Sequence, residues 1–345
     1  MQLGICTPYR RCEETQVALR LAQWAEDRDI DVSIRPTTTS PARLGVPHDD
    51  DARACRDMKF TEWARQCSTI IWTASPIYEQ VEWALKHKIH SIIYALWLST
   101  EAYDMEALKI ADAVLVPNQF AANGLQGPMP GQRIIYAPYD PGVPPVAKDP
   151  RLQCEQRWVF LPLFDREPYK TEMTVVEVMG RMLYEFDDTI LTVAYNASTL
   201  APHARRRLDQ FSKYFGPRVR QLAAVPLARR APMFQYHDLT VWPVHWDDVG
   251  IIGLTSMTVG TPVIAFYYPP LSEFMLPTNS VGVQVSHHTD LTGMPRIEPN
   301  YDGFENILHM TLQDRKTLPH LHQTVLQGLP ERRTLFGEAL VRVMY

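Results

Sequence analysis

The chain reads as an α/β protein of two Rossmann-like lobes facing each other across a cleft. Three observations predict this. An alternation of strands and helices runs twice along the chain, a proline-rich stretch separates the two runs, and residues 241–265 read as strand, polar loop, helix, turn and strand in succession. Alternating strands and helices imply a parallel, doubly wound sheet. A length of 345 residues suits two domains of ordinary size.

The first run places strands at 2–6, 31–35, 69–73, 91–96, 113–116 and 133–136, with helices at 13–28, 60–66, 77–87, 103–110 and 118–125. The clearest helix is the stretch from Glu14 to Asp29, where Val17, Leu21, Trp24 and Ala25 recur on one face. Residues 37–57 lack periodicity and read as a long loop, a length often tied to function in compact domains. APYDPGVPPVAKDP, residues 137–150, holds five prolines and cannot be helical, so it reads as an extended connection. The second run places strands at 157–163, 189–195, 218–222, 239–242, 262–266 and 281–285, and helices at 171–185, 202–214, 229–236, 251–258, 302–313, 318–327 and 331–344. The expected domains are therefore 1–140, a linker at 141–150, and 151–330, with a terminal helix at 331–345 returning to the first lobe.

Composition narrows the function. Hydrophobic residues make up 46% and charged residues 21%, enough for a large core and too few charges for global disorder. A net charge of −5 argues against a surface that coats nucleic acid throughout, while leaving room for a local basic site. MQLGICTPYRR has no signal-peptide pattern and no apolar run reaches membrane-spanning length, so a cytoplasmic protein without a transmembrane helix is expected. The five cysteines include no CxxC pair, which disfavours a disulfide framework or zinc knuckle; Cys12 reads as a small loop residue rather than a nucleophile. Histidines 287, 288, 309, 320 and 322 lack metal-ligand spacing and read as surface residues.

The chemistry concentrates after the strand that ends at Val241. His245, Trp246, Asp247 and Asp248 crowd the loop, Gly250 opens a helix and Gly260 closes it. Ligands of open α/β sheets bind outside the carboxyl ends of strands, against helix N-termini. Taken alone, Asp247 and Asp248 read either as a site or as a solvated pair. HDLTVWPVHWDDVGIIGLTSMTVGTPVIA, residues 237–265, resembles the stretch ADxxxxPSxxEGFGLPxLEAMAxGxPVIA of retaining, glycogen-phosphorylase-like GT-B glycosyltransferases. The positions that match without a gap run from Asp238, Pro243 and Gly250 through Met257 to Gly260–Ala265. ADAVLVPNQFAANGL, 111–125, is similar to the family's last N-domain strand and helix, and LPERRTLFGEALVRVM to its closing helices.

The resemblance implies a GT-B fold and a nucleotide-sugar co-substrate, with a UDP-sugar the first choice and no metal or other cofactor required. It implies that Asp247 and Glu273 orient the donor sugar as the catalytic carboxylates. Arg166 and Lys170, after the strand at 157–163, meet the diphosphate, where fixed cations stabilise the developing charge; Arg166 is equally well read as an ion-pair partner of Asp165 or Glu167. His245, Trp246, Asp248, Gly250, Thr255 and Ser256 complete the donor side. Two departures stand out: Thr255 replaces the second family carboxylate, and Pro269 and Pro270 replace the glycines expected before Glu273. Tyr9, Arg10, Arg11, Glu13 and Trp97 are the acceptor-side candidates. No N-lobe base is found, and with retention the leaving phosphate itself can accept the acceptor proton through an oxocarbenium-like transition state.

A basic cluster at Arg205, Arg206, Arg207, Arg218 and Arg220 reads either as a solvated face or as a polyanion contact. The second reading makes DNA carrying a hydroxymethylated pyrimidine, the acceptor of some phage GT-B enzymes, a candidate partner. Polysaccharide and small-metabolite acceptors, a GT-B binding protein without turnover, and a nucleotide-sugar epimerase remain the alternatives.

Overall fold

The computed structural model describes residues 2–8, 13–37, 55, 58–73, 76–96, 105–146, 156–163, 171–195, 200–223, 225, 227–245, 247, 249–289, 295–314 and 316–345. The chain divides into two compact units, the first made of Met1–Gly142 and Glu331–Tyr345, the second of Val143–Pro330.

In the first unit, strands β1 (Gln2–Thr7), β2 (Asp31–Pro36), β3 (Thr69–Trp72), β4 (His90–Tyr94), β5 (Ala113–Val116) and β6 (Ile134–Tyr136) alternate with helices α1 (Glu13–Glu26), α2 (Phe60–Ala64), α3 (Tyr78–Lys86), α4 (Met105–Ile110) and α5 (Gln119–Gln126). All six strands are parallel, in the order β2-β1-β3-β4-β5-β6. The strand order reverses between β1 and β3, which makes that pair the switch point of the sheet. The apolar face read from the sequence of α1 is the buried one, with Val17, Leu21, Trp24 and Ala25 in the core. The side chain of Asn118 accepts from the Ala121 amide and starts α5.

In the second unit, β7 (Arg157–Leu163), β8 (Thr189–Tyr195), β9 (Val219–Ala223), β10 (Leu239–Val241), β11 (Val263–Tyr267) and β12 (Val281–Gln284) form the sheet, with α6 (Thr171–Glu185), α7 (Pro202–Phe215), α8 (Leu227–Gln235) and α9 (Ile251–Thr258) between successive strands. The order is β12-β11-β10-β7-β8-β9, again wholly parallel. Numbered within the unit this is 3-2-1-4-5-6 from the β9 edge, with the switch point between β7 and β10. β8 is buried along its entire length, as a central parallel strand covered on both faces must be. A short antiparallel hairpin, β13 (Ser286–Thr289) and β14 (Pro295–Glu298), follows β12. It is an addition to the sequence reading, which ends its strands at 285. Helices α10 (Tyr301–Gln313) and α11 (Thr317–Thr324) complete the unit.

The terminal helix α12 (Leu329–Met344) contributes Glu331 onward to the first unit. Arg333 bonds Asp140 at 3.2 Å, Arg133 donates to the Arg342 carbonyl at 2.7 Å, and Phe336 is fully buried. Among the described residues, no helix is long and apolar enough to cross a membrane.

Candidate functional site

The second-unit switch point lies where β7 and β10 end side by side. The chain leaves β10 through Trp242, which is buried and whose amide still reaches the Ile264 carbonyl of β11. It then turns: the Val244 amide bonds the Trp242 carbonyl at 2.9 Å, and the Tyr268 hydroxyl donates to the Val244 carbonyl at 3.3 Å. Asp247 follows, only 4% exposed. Its Oδ1 accepts from the Val249 amide at 2.9 Å and from the Gly250 amide. An aspartate that bonds the backbone two and three residues ahead forces a tight local turn.

The turn delivers the chain into α9 through Gly250, whose φ of +73° lies in the left-handed region that favours glycine. A Cβ there would lie 2.4 Å from the Phe274 ring, and one on Gly253 would lie 2.7 Å from Trp242. The first turn of α9 is thus pressed between two aromatic side chains, and the two glycines are what let it fit.

These contacts set the surroundings of Asp247 and revise the expectation for Ser256. Asp247 shapes the loop, because its Oδ1 is occupied by two backbone amides. Ser256 is fully buried, with its hydroxyl 2.7 Å from that of Thr240 and 2.9 Å from the Thr261 carbonyl. It lies on the sheet-facing side of α9, and its expected place on a ligand-facing surface is corrected to a buried one. Thr255, half-buried on the same helix, donates to the Ile251 carbonyl at 2.6 Å. Glu273 closes a short turn at Leu271–Glu273, after the cis Pro269–Pro270 bond, and is half-buried. His245 points its Nε2 at the Tyr301 hydroxyl, 3.0 Å away, and burial lowers the pKa of its imidazole. Tyr301, the first residue of α10, has its phenol pushed up to about 12 by burial.

Two residues in the motif register are structural. The Asp238 carboxylate accepts from the Trp158 amide at 2.7 Å and ties the start of β10 to β7. His237 donates from Nδ1 to the Met233 carbonyl at 2.7 Å, which leaves Nε2 to accept from the Thr192 hydroxyl at 2.8 Å.

No protein-family model and no curated protein matches the chain. Solved structures do match it over its whole length. A sucrose-phosphate synthase from Thermosynechococcus elongatus superposes with a TM-score of 0.70 at 13% identity, covering 100% of this chain and 98% of its own. A glycosyltransferase from Rickettsia africae gives 0.72 at 9%, covering 99% and 97%. Anabaena HepE, solved in complex with UDP-glucose, gives 0.70 at 12%, covering 100% and 99%. The chain has the GT-B fold.

Within the two GT-B lobes, the remaining sequence candidates separate into those the structure describes and those it does not. Tyr9, Arg10, Arg11, Cys12, Trp97, Arg166, Lys170, Trp246 and Asp248 lie outside the described residues, as does the loop at 37–57 apart from Thr37 and Cys55. Glu13 is the first residue of α1. The five arginines do not form one patch. Arg205, Arg206 and Arg207 are exposed on the first half of α7, where Arg207 meets Glu177 at 3.7 Å. Arg218 sits beyond the far end of that 14-residue helix, about 20 Å of axis long. There it donates to the Leu183 carbonyl at 2.6 Å and the Phe186 carbonyl at 3.3 Å, tying down the end of α6. Arg220, on β9, lies over the Trp158 ring at 4.3 Å. Grouping the five as one patch is therefore corrected: Arg218 and Arg220 stand apart from the three arginines of α7. His322 also departs from expectation, because it is half-buried and donates to the Asp238 carbonyl at 2.7 Å. Among the described residues, no group of three or more His, Cys, Asp or Glu could hold a metal ion. Sequence reasoning missed Tyr301 and Tyr268, neither of which belongs to a motif.

Proposed function

We propose that the protein is a glycosyltransferase that moves a sugar from a nucleotide sugar, a UDP-sugar first, to a hydroxyl acceptor with retention of configuration. The observation that carries this reading is the 242–250 loop at the second-unit switch point, where a buried aspartate and a left-handed glycine set the entry to α9. The likeness in fold to a glycosyltransferase from Rickettsia africae and to Anabaena HepE in complex with UDP-glucose supports it.

In this reading the second lobe binds the donor and the first binds the acceptor. Arg166 and Lys170 hold the diphosphate, Glu273 orients sugar hydroxyls, and Asp247 acts through the loop it shapes. The bond from the anomeric carbon to the diphosphate breaks and the bond to the acceptor oxygen forms on the same face. The acceptor proton passes to the departing phosphate oxygen, whose charge the two cations balance. Holding donor and acceptor in this geometry supplies much of the acceleration.

The acceptor to test first is duplex DNA carrying a 5-hydroxymethylpyrimidine. The three exposed arginines of α7 favour an anionic polymer, since each phosphate neutralised releases counterions and steepens the salt dependence. A thermal-shift screen over nucleotide sugars, followed by transfer assays on hydroxymethylated DNA and on oligosaccharides, tests the reading. Donor-dependent glycosylation with retained anomeric configuration supports it. A protein that neither binds nor turns over any nucleotide sugar overturns it.

A second reading, a GT-B binding protein without turnover, is favoured by Thr255. It stands where the family has a carboxylate, and its hydroxyl is turned back onto its own helix. Donor binding without hydrolysis or transfer, on any acceptor, selects that reading.

A further inference from the structure

The His245–Tyr301 pair joins the loop after β10 to the first residue of α10 across 56 positions of sequence. Both rings are held. The Tyr301 ring meets the buried Phe266 ring edge-on at 5.8 Å, and the His245 ring packs on the same phenyl at 6.0 Å. The backbone on either side of His245 is fixed as well, by the Tyr268 bond to Val244 and by the Asp247 turn. Asn300 accepts from the Gly303 amide at 2.8 Å and so fixes the start of α10 beneath Tyr301. Nε2 is thus taken by Tyr301, and among the described residues His245 Nδ1 makes no hydrogen bond and is not a buried unpaired atom, in a half-buried side chain on the loop that follows β10.

A neutral imidazole has one donor nitrogen and one acceptor nitrogen, and the bond made by one decides the state of the other. Phenol is a good donor and imidazole nitrogen a better acceptor than phenol oxygen. The preferred arrangement is therefore O–H of Tyr301 to Nε2, which leaves the hydrogen on Nδ1. The shift directions agree with this, since burial keeps the imidazole neutral and the phenol protonated.

We propose that Tyr301 is a positioning residue of the donor site: it donates to His245 Nε2 and fixes the tautomer whose Nδ1–H reaches an oxygen of the bound nucleotide sugar. This rests on the donor-lobe reading above and adds to it the group that sets a donor contact, on a residue outside the sequence motif.

The test has two arms on the full-length protein. Nitrogen-15 NMR of the histidine side chains, assigned by His245→Asn, reads the tautomer without any ligand. Wild type is expected to show a protonated Nδ1, and Tyr301→Phe to shift His245 towards the Nε2–H form. Titration with UDP-glucose then reads the contact. Tyr301→Phe and His245→Ala are each expected to weaken binding about 3- to 10-fold, the range of one neutral hydrogen bond. His245→Asn, which keeps an N–H near the Nδ1 position, is expected to recover most of the loss. In turnover the defect falls on the donor KM with kcat nearly unchanged.

An Nε2–H tautomer in the wild type overturns the inference. So does wild-type affinity for UDP-glucose in both Tyr301→Phe and His245→Ala. If Tyr301→Phe fails to fold, the wild-type tautomer and the His245 variants still decide. If the wild type binds neither UDP-glucose nor any other nucleotide sugar, the donor-lobe reading falls and takes the inference with it, and the NMR arm shows which of the two failed first.

Discussion

Asp140 receives Arg20 Nη2 at 2.6 Å while its backbone carbonyl accepts from Arg20 Nε at 3.0 Å, so one guanidinium reads both the side chain and the main chain of the same residue. Both side chains are nearly buried, at 11% and 7% exposure. Arg333 adds a second cation to the same carboxylate. The pair fastens the last residues before the unit boundary onto α1. Asp140→Ala leaves a buried guanidinium without its carboxylate and is expected to lower stability by about 3 kcal/mol, read from urea denaturation. Asp140→Asn, which keeps one acceptor, is expected to lose less.

Gly250 tests the geometry of the candidate site. Gly250→Ala forces a side chain into a left-handed conformation and against Phe274. The expected loss is about 2 kcal/mol or more. Gly127, at the end of α5, has an ordinary φ of −64° and nothing within 4 Å of an added Cβ. Gly127→Ala is expected to be neutral or slightly stabilising, by up to about 1 kcal/mol. Equal melting temperatures for the two variants would refute the packing argument.

Asp247 separates charge from shape. Asp247→Asn keeps an oxygen for the Val249 and Gly250 amides, so its melting temperature is expected within a few degrees of wild type. Asp247→Ala leaves the Val249 and Gly250 amides without their acceptor and is expected to cost about 1–3 kcal/mol. Donor affinity should follow the same order. A large loss of affinity in Asp247→Asn at unchanged stability would instead return Asp247 to direct sugar contact.

Acid should weaken the protein partly through His245. Burial lowers its folded pKa below the unfolded value of 6.5, so the unfolded chain binds more protons as pH falls. The contribution is complete above about pH 6.5 and shrinks as pH drops towards the folded value. Urea midpoints at pH 7.5 and 5.5 should therefore converge in His245→Gln relative to wild type. An identical drop in both proteins would remove His245 from the acid response.

Arg218 and Arg207 should behave differently despite both belonging to the basic cluster of the sequence. Arg218→Ala frees two carbonyls at the end of α6 and is expected to lower stability by about 1–3 kcal/mol. Arg207→Ala breaks only an exposed pair with Glu177 and should change stability by less than about 0.5 kcal/mol. If the α7 arginines bind DNA, replacing all three should flatten the salt dependence of binding while Arg218→Ala leaves it steep.

The fold was legible because its signals are local and repeated. The heptad-scale face of α1 and the continuously apolar β8 each follow from neighbours in sequence, and Gly250 and Gly260 bracket α9 by their backbone freedom. Within the candidate site the sequence names residues but not the directions of their side chains. That Asp247 folds onto Val249 and Gly250, or that Ser256 faces Thr240, depends on which side of a turn or short helix a side chain leaves, and a motif register does not carry that. Arg218 was grouped with Arg205 because they are 13 positions apart in a list of basic residues, although a helix axis lies between them. Tyr301 was invisible because its partner comes from another layer of the fold. The hairpin of β13 and β14 is two four-residue strands of polar and proline-bearing sequence, too short for a period to register.

The division of the chain into units also fixes an order of events during synthesis. Residues 143–330 form a whole unit, while the first unit needs Glu331 onward, including the buried Phe336 and the Arg333 that reaches Asp140. A ribosome makes the second unit in full before it makes the part of α12 that belongs to the first, Glu331 onward. The first unit is therefore completed only after the second has been made, and until then α1 lacks the cover of Phe336, whose ring lies under the Arg20 guanidinium at 5.4 Å.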